Sequence, residues 1–477
     1  MNITQLTGQI SAFLWSKSLI YVLMAAGVYF SVRMAFPQVR LIKDMVSQLL
    51  GGKNSKSGVS SYQAFAMALG GRVGIGNIAG VATAIFYGGP GAVFWMWLIA
   101  FLGAGSAYVE SALAQVWKED IGGEYRGGPA FYIEKGLKSK LVATIFTVAV
   151  IIACGFTGPG VQAFSIADSF KNAFGIAPLY TGIAVAALFA VVLFGGVKRI
   201  GKFAEIVVPI MAGAYIIIAL AILAVNFTKI PAMFALIFSS AFNMNATFGG
   251  IFGSAVLWGI KRGLYSNEAG QGTGAIAAGA AEVSHPAKQG LVQAFSVYID
   301  TLFVCTATAI MILSTGMYNV ADGNGGFIVE NLPNIQPGVG FTQFSIDTML
   351  PGIGAPFIAI AVFFFAFTTL LSFGYYAMSN VAFLFKNSKN LGTISNIVRV
   401  VQIIMVVIAS VKTSEFAWNL ADIGVGMIAW INILSILVLG KYGFATLKDY
   451  EEQKKMGLDP VFIPERCGIN NLLYGIK

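Results

Sequence analysis

Two glycine-rich stretches carry residue types that suit the binding of small charged groups. The first, GGRVGIGNIAG, runs from Gly70 to Gly80 and adds an arginine and an asparagine to five glycines. The second, YSNEAGQGTGAIAAGA, runs from Tyr265 to Ala280 and adds a glutamate, a glutamine and a threonine. Both lie in apolar surroundings, where a glycine weakens a helix by about 1 kcal/mol relative to alanine. A helix broken at such a point exposes free N–H groups, which suit a carboxylate, and free carbonyls, which suit a cation.

Glycines in membrane helices also serve close helix packing, and isolated ones such as Gly103 and Gly105 fit that interpretation. Packing alone does not call for the polar residues that accompany the two clusters, which are Asn77, Asn267, Glu268 and Gln271. We therefore interpret the clusters as ligand-binding breaks in two helices.

The helices that must position these breaks belong to a membrane protein. Of the 477 residues, 57% are hydrophobic and 11% are charged, against about 25% charged in soluble domains. A β-barrel would require short alternating segments throughout, and these do not dominate. Three cysteines give no disulfide framework. The sequence predicts an all-α polytopic protein.

Eleven segments are long and apolar enough to cross a bilayer, which takes about 20 residues per helix. They run over 12–35, 59–86, 93–117, 141–167, 178–195, 203–226, 249–282, 290–315, 354–385, 392–410 and 415–440. Basic residues follow the first segment, whereas a cleaved signal peptide would have them in front. We interpret this segment as a retained helix.

The distribution of Lys and Arg predicts the orientation of the chain. Alternate loops and the C-terminal tail hold 21 of these 30 residues, whereas the opposite loops hold only Lys171, Lys229 and Lys412. Basic loops face the cytoplasm, so the N-terminus is expected outside and the C-terminus inside a plasma membrane. Topology therefore explains the net charge of +9, and no nucleic-acid partner is needed.

The two breaks occupy matching positions once the first helix is set aside. Ten helices remain, and each group of five begins with a broken helix, so the two groups have opposite orientations. Broken helices at matching positions of inverted repeats are the strongest sequence indication of a transporter's binding site. The predicted regions are an N-terminal helix and loop, a first repeat, a second repeat and a cytoplasmic tail, over 1–58, 59–226, 227–440 and 441–477.

Several longer motifs resemble the alanine or glycine:cation symporter family. They are VGIGN at 73–77, GGPGAVFWMW at 88–97, GGEYRGGPAFYIEKGL at 122–137 and SNEAGQGTG at 266–274, and the likeness covers nearly the whole chain. The resemblance implies a leucine-transporter-type fold, for which the five-plus-five inverted repeat is the established example. It also implies uptake of alanine or glycine, driven by sodium or sometimes by protons.

The resemblance implies a substrate site at the breaks. The carboxylate would meet amides of the first break, at Gly74, Ile75, Gly76 and Asn77. The second break would offer carbonyls and side chains from Gly270, Gln271, Gly272 and Thr273. Gln162, which follows Gly158-Pro159-Gly160, is a further candidate for the pocket because of its position in the third core helix.

The resemblance also implies a sodium site between the first broken helix and a later helix. Its ligands would be the carbonyls of Gly70, Val73 and Phe365 and the hydroxyls of Thr368 and Thr369. Sodium is a hard cation that prefers oxygen ligands, and neutral oxygens serve it without a buried charge. The alternative for the two threonines is ordinary hydrogen bonding to the preceding helical turn.

Ionisable residues inside membrane segments are candidates for function. Asp300 could contribute to a second cation site. Glu268 could bind a cation or neutralise Lys261 or Arg262. Arg72, just before the first break, could belong to a gating ion pair. Structural pairing is the alternative for Asp300, Glu268 and Arg72 alike.

Other functional classes fit the sequence less well. It contains no transition-metal cluster, no phosphate-binding loop and no nucleophile–base pair, so an enzyme is not expected, and no cofactor is expected beyond sodium as the coupling ion. A channel would require repeated elements around an axis, and none is found. A proton-coupled carrier of the same fold stays open. The expected partners are alanine or glycine, sodium and the lipid bilayer.

Overall fold

The computed structural model describes residues 3–49, 57–245, 247–412 and 414–469, which are mostly α-helical. The other residues, which include parts of the predicted regions 1–58 and 441–477, lie outside the described residues. Eight helical stretches have the length and composition to cross a membrane. They are Thr4–Arg33, Ala92–Val116, Lys140–Phe174, Gly196–Val225, Pro286–Thr315, Gly354–Leu384, Leu391–Ser410 and Glu415–Lys455.

The N-terminal region holds four helices where the sequence predicts one membrane segment. They are α1 (Ile3–Leu14), α2 (Lys17–Arg33), α3 (Pro37–Arg40) and α4 (Ile42–Leu49). The interruption between α1 and α2 falls at Trp15, whose buried indole N–H donates to the Asp422 carbonyl over 2.9 Å. A buried indole N–H requires an acceptor. The acceptor here, the Asp422 carbonyl, belongs to the C-terminal part of the chain.

The region from residue 57 to residue 225 contains the first broken helix and four further membrane-type helices. Its elements are α5 (Ser61–Arg72), a 3-10 turn (Ile75–Asn77), α6 (Ala79–Gly88), α7 (Ala92–Val116), β1 (Glu119–Ile121), β2 (Glu124–Arg126), α8 (Pro129–Gly136), α9 (Lys140–Ile152), a π turn (Ala153–Thr157), α10 (Gly158–Phe174), α11 (Pro178–Leu193) and α12 (Gly196–Val225). β1 and β2 form an antiparallel hairpin that pairs Glu119 with Arg126.

The region after α12 contains the second broken helix. Its helices are α13 (Ile230–Ala241), α14 (Phe252–Asn267), α15 (Thr273–Gly279), α16 (Pro286–Val297), α17 (Thr306–Thr315), α18 (Val339–Asp347), α19 (Gly354–Leu384), α20 (Leu391–Ser410) and α21 (Ser414–Lys455). Four short elements join them: 3-10 turns at Phe227–Lys229, Gly249–Ile251 and Pro464–Cys467, and a π turn at Tyr298–Cys305. An antiparallel hairpin of β3 (Asn319–Ala321) and β4 (Phe327–Glu330) lies between α17 and α18.

The predicted boundary between residues 440 and 441 falls inside a continuous helix. α21 extends to Lys455, and its polar residues Asp449 and Gln453 are buried. The segment after α21 packs against the loop before α16, where the Phe462 N–H donates to the Ser284 carbonyl over 2.9 Å. His285 lies beside Asp449 at 3.1 Å, and burial lowers the pKa of the imidazole. The described part of the tail is thus docked on the helix bundle.

Both predicted breaks are present, and local residues explain them. α5 begins with a capping box formed by Ser60 and Gln63 and ends at Arg72, and the chain resumes as a helix only at Ala79. α14 ends at Asn267, after which Gly270 and Gly272 have φ values of +84° and +87°. Such left-handed conformations favour glycine, so these two glycines permit the second break.

The breaks lie side by side in the interior of the bundle. α7 packs against α2, α14, α15 and α16, whereas α19 packs against α5, α9, α10 and α12. The first break contacts Ser266 at the C-terminal end of α14, because a Cβ atom on Gly76 would lie 3.2 Å from the Ser266 Cα. This contact places the candidate residues of both repeats in one region.

Candidate functional site

The first break is held by two amide side chains. Asn77 is fully buried, and its Oδ1 accepts the Gly74 N–H over 2.8 Å. The Gln162 Oε1 accepts the Ile75 N–H over 3.3 Å, so the residue proposed from its position in the third core helix does reach the break. Thr308 donates to the Asn77 carbonyl over 2.6 Å. Neutral side-chain acceptors therefore occupy the Gly74 and Ile75 N–H groups of this break.

The second break is held by two residues that the sequence analysis did not identify. The Glu110 Oε2 accepts the Gly272 N–H over 3.1 Å, and the Asn432 Nδ2 donates to the Gly270 carbonyl over 2.9 Å. The same Asn432 amide donates to Glu110 over 2.9 Å. Tyr132 donates to the other side of the Asn432 amide. Helices α7 and α21 thereby satisfy the backbone of the break, as the interior of a membrane requires.

Glu110 could have been found from the sequence, because it is a lone carboxylate within a long apolar segment and such residues are functional candidates. Asn432 gives no comparable signal. Gln271, by contrast, was expected to face the substrate, but its Nε2 donates to the Leu264 carbonyl over 2.6 Å. That bond satisfies a carbonyl of the last turn of α14 and directs the side chain towards its own helix. The Thr273 hydroxyl is buried beside the Glu268 carboxyl group.

The predicted sodium ligands of α5 and α19 lie together. The Thr369 hydroxyl is 3.0 Å from the Gly70 carbonyl and 3.0 Å from the Phe365 carbonyl. Thr368 also donates to the Phe365 carbonyl over 3.0 Å. Val73 caps the C-terminal end of α5, three residues beyond Gly70. Both threonines bond to their preceding turn, as the alternative interpretation expected, but Thr369 additionally reaches across to the other helix.

Asp300 connects the two breaks. Its Oδ1 accepts the Asn77 amide over 2.7 Å, and its Oδ2 accepts the Ser266 hydroxyl over 2.8 Å and the Thr301 hydroxyl over 2.7 Å. The carboxylate is fully buried. The Cys305 thiol lies 3.2 Å from the Ser266 hydroxyl. A carboxylate surrounded by an amide and hydroxyls supplies the oxygen ligands that hard cations prefer.

Arg72 does not form the ion pair that its position suggested. Its Nη1 donates to the Gln293 side chain over 3.1 Å and to the Ser296 hydroxyl, both of which are neutral. Within the part of the chain that the structure describes, no carboxylate oxygen lies within salt-bridge distance of this guanidinium, and its Nε and Nη2 are buried without hydrogen-bond partners. Arg72 instead acts over longer range on Glu110, Glu268 and Asp300.

The cations beside the second break are neutralised by α21 and not by Glu268. Lys261 lies 2.6 Å and Arg262 lies 3.1 Å from the two oxygens of Asp422. The ring of Trp418 covers the Arg262 guanidinium at 4.3 Å. All three charged groups are buried. The ion pair fastens α14 to α21 just before the break.

A cavity of about 580 Å³ is lined by Trp418, whose ring covers Arg262 of this ion pair. Ala79, the first residue of α6, also lines the cavity. Polar groups in its wall are the carboxyl groups of Asp168 and Asp347 and the amide of Gln343. The cavity therefore reaches the start of α6, directly after the first break, and the aromatic ring that covers the ion pair.

The whole chain resembles one family of transporters. Residues 1–464 match the model of the sodium:alanine symporter family. The chain belongs to this family. It is therefore a multi-pass membrane transporter and not an enzyme, which confirms the resemblance found in the sequence motifs.

Named relatives and a solved structure agree with that membership. YrbD of Bacillus subtilis (strain 168) is 54% identical over 97% of this chain and 95% of its own length. The sodium/proton-dependent alanine carrier protein of Bacillus sp. (strain PS3) is 52% identical over 90% of this chain and 96% of its own length. MhsT, solved in complex with L-phenylalanine, superposes with a TM-score of 0.54 at 15% identity, covering 81% of this chain and 91% of its own. The chain thus shares the leucine-transporter-type fold.

Proposed function

We propose that this protein carries alanine and glycine across the plasma membrane together with sodium, by alternating access. The observation that carries the proposal is the oxygen cluster that Thr369 forms with the Gly70 and Phe365 carbonyls, next to two adjoining helix breaks. Membership of the sodium:alanine symporter family supports alanine as substrate. The name of the Bacillus sp. relative supports coupling to a cation.

The substrate carboxylate binds at the first break, over Gly74 to Asn77, where it replaces the side-chain oxygens that hold the Gly74 and Ile75 amides. The ammonium group binds carbonyls of the second break, over 270–273. The contact between Gly76 and Ser266 supports a small substrate, because the backbones of the two breaks leave little space between them. Gln162 lies at the edge of this site and releases the Ile75 amide when the substrate enters.

Sodium binds between α5 and α19. Carbonyls of Gly70, Val73 and Phe365 and the hydroxyls of Thr368 and Thr369 supply five oxygens, a number that suits a hard cation. A second cation binds beside Asp300, where the Ser266 and Thr301 hydroxyls turn their oxygens towards it. Both sites adjoin the first break, so binding of the cation stabilises the backbone conformation that the substrate requires.

The membrane topology is eleven helices with the N-terminus outside and the C-terminus in the cytoplasm. Eight long apolar helices support this count together with three shorter spans, which are α5–α6, α11 and α14–α15. The spans after α2 divide into two inverted groups of five, over 59–226 and 227–440, and each group begins with a broken helix. The basic loops support this orientation.

The ion pair of Lys261 and Arg262 with Asp422 acts as the outer gate. It lies beside the cavity that Trp418 lines and fastens α14, which leads into the second break, to α21. Opening requires α14 to move away from α21, and closing restores the ion pair above the bound substrate. A gate of this kind exposes the site to one face of the membrane at a time, as alternating access requires.

The experiment that tests the proposal is uptake of labelled alanine and glycine into proteoliposomes under an inward sodium gradient or an inward proton gradient. Accumulation that requires sodium is expected. Accumulation under a proton gradient alone would favour the second candidate, a proton-coupled carrier of the same fold, for which the sodium/proton-dependent relative is the reason. No movement of either amino acid under both gradients would refute the substrate assignment.

A further inference from the structure

A cavity of about 600 Å³ lies where α12, α17 and α18 end. The described residues that line it belong to neither break, so it is separate from the proposed substrate site. Most of them are apolar, and they include Ile222, Val225, Met317 and Leu350. Pockets for small organic molecules have volumes of about 300–1,000 Å³. The size and the lining of this cavity therefore suit a molecule with an apolar chain.

The cavity opens towards the lipid-facing surface of α12. This helix has the length and composition to cross a membrane, and its Ile217 and Leu220 side chains are exposed. Val225 and Leu350, which line the cavity, are exposed as well. A large exposed apolar surface of this kind marks a contact with the membrane. A lipid of the bilayer can therefore enter the cavity from the side.

The cavity also holds one positive charge. Among the described residues that line it, only Lys229 is charged. Its Nζ donates to the Ser314 carbonyl over 3.2 Å, and an ammonium group has three hydrogens to donate. Lys229 is one of the three basic residues on the predicted outer loops, so the preference of basic residues for the cytoplasmic side does not explain it. Its position at the rim of an apolar cavity indicates an anionic ligand.

The charge of the lining distinguishes between kinds of lipid. A lysine near the membrane surface attracts the negative headgroup of a lipid. A zwitterionic headgroup would also bring a cation, for which the described lining residues offer no carboxylate. A headgroup whose only charge is its phosphate balances Lys229, and its hydroxyls find the uncharged polar groups of Asn226, Thr315 and Thr348 in the same lining. Phosphatidylglycerol has this chemistry.

We propose that the cavity binds an anionic phospholipid of the outer leaflet, with its phosphate at Lys229 and an acyl chain along α12. The inference rests on the proposed orientation of the chain, and it is independent of the substrate and of the coupling ion. α18 links this cavity to the one beside Trp418, because Gln343 lines that cavity and Met349 lines this one. The lipid therefore packs against the end of the element that also forms a wall of the cavity beside Trp418.

The test compares the binding of phosphatidylglycerol and phosphatidylcholine with identical acyl chains to the purified protein in detergent, by native mass spectrometry. The wild type should bind phosphatidylglycerol about fivefold more tightly, which is the effect of one lysine near a lipid phosphate. Lys229→Gln should bind both lipids equally. Lys412→Gln is the matched control, because Lys412 is an exposed lysine on the same predicted side that does not line the cavity, and it should keep the wild-type preference.

Equal affinity of the wild type for the two lipids would overturn the proposal, as would the same loss of preference in both lysine variants, since that would indicate a general effect of surface charge. Competition by glycerol phosphate at the concentration of the lipid would indicate a site for free anions and would also overturn it. Should Lys229→Gln fail to fold, Ala221→Trp, which fills the cavity from α12, must weaken binding of phosphatidylglycerol, and unchanged binding would contradict the proposal.

Hydrogen exchange locates the lipid. Amides over 222–229 and 345–350 should exchange more slowly with phosphatidylglycerol than with phosphatidylcholine, whereas the turn of the β3–β4 hairpin over 322–326 should not change. Equal slowing in all three segments would show general stabilisation and place the lipid elsewhere. Neither measurement uses transport, so a failure of alanine uptake would refute the proposed function and would leave this inference intact.

Discussion

Replacing Thr369 by valine removes one hydroxyl and keeps the shape of the side chain. In the structure this hydroxyl lies 3.0 Å from the Gly70 carbonyl on α5 and 3.0 Å from the Phe365 carbonyl on its own helix. It thus joins the two helices at the proposed sodium site, whereas the Ser372 hydroxyl joins them one turn away, at the Met67 carbonyl. Thr369→Val should weaken sodium binding directly and alanine binding only through sodium.

The expected magnitude follows from the loss of one ligand among five or six. An interaction of a polar group with a charged partner contributes about 1.5–3 kcal/mol, and each 1.4 kcal/mol changes an equilibrium constant about tenfold. The sodium concentration for half-maximal uptake should therefore rise about 10- to 100-fold. Saturating sodium should restore most of the uptake rate, because the substrate contacts are unchanged.

The assay is alanine uptake into proteoliposomes at a series of external sodium concentrations. Thr147→Val is the matched control, because Thr147 is also buried and its hydroxyl donates to the Ala143 carbonyl of its own helix over 2.7 Å. Thr369→Ser keeps the hydroxyl and should lie close to the wild type. If Thr369→Val and Thr147→Val showed the same sodium dependence, the placement of sodium between α5 and α19 would be wrong.

Three further changes test other parts of the structure. Gly76→Leu should abolish alanine binding, because a Cβ atom there would already lie 3.2 Å from the Ser266 Cα. An unchanged Kd for alanine in equilibrium binding would show that the backbone of the first break is not a ligand. Asp422→Ala leaves Lys261 and Arg262 buried without their partner and should cost about 3–5 kcal/mol, seen as a lower Tm in detergent; an unchanged Tm would exclude a buried ion pair. Burial lowers the pKa of Lys118 to about 7. Between that pH and the ordinary lysine pKa the unfolded chain binds more protons than the folded chain, so the free energy of unfolding rises with pH. Lys118→Met should therefore show a smaller rise in Tm between about pH 7.5 and 9.5, and an equal rise in both proteins would contradict the lowered pKa.

The two breaks could be predicted because their signals are local: glycines at 270 and 272 are required by positive φ angles. The hydroxyls at 368 and 369 carry no such signal, because ordinary bonding to the preceding turn explains them equally well. Only the resemblance to the family placed them beside the first break. The contact between Thr369 and Gly70, almost three hundred residues apart, follows from the fold that the motifs implied.

The residues that hold the second break could not be predicted as a group, because they come from distant parts of the chain. Glu110 and Asn432 are separated by more than three hundred residues and meet only through the packing of α7 and α21. Of the two alternatives for Glu268, neutralisation of Lys261 or Arg262 is wrong for the same reason. Glu268 is near them in sequence, whereas Asp422 is near them in space.

The orientation of the substrate follows from the different ways in which the two breaks are satisfied. Neutral oxygens of Asn77 and Gln162 hold the Gly74 and Ile75 amides of the first break. The proposed second cation neutralises the neighbouring Asp300 carboxylate, so an incoming carboxylate can replace the neutral oxygens. Buried carboxylates, Glu110 and Glu268, surround the second break. A substrate carboxylate there would face repulsion that the single guanidinium of Arg72 does not offset, whereas an ammonium group would be attracted. The electrostatics of the site therefore favour one orientation of a zwitterion, with its carboxylate at the first break and its ammonium group at the second.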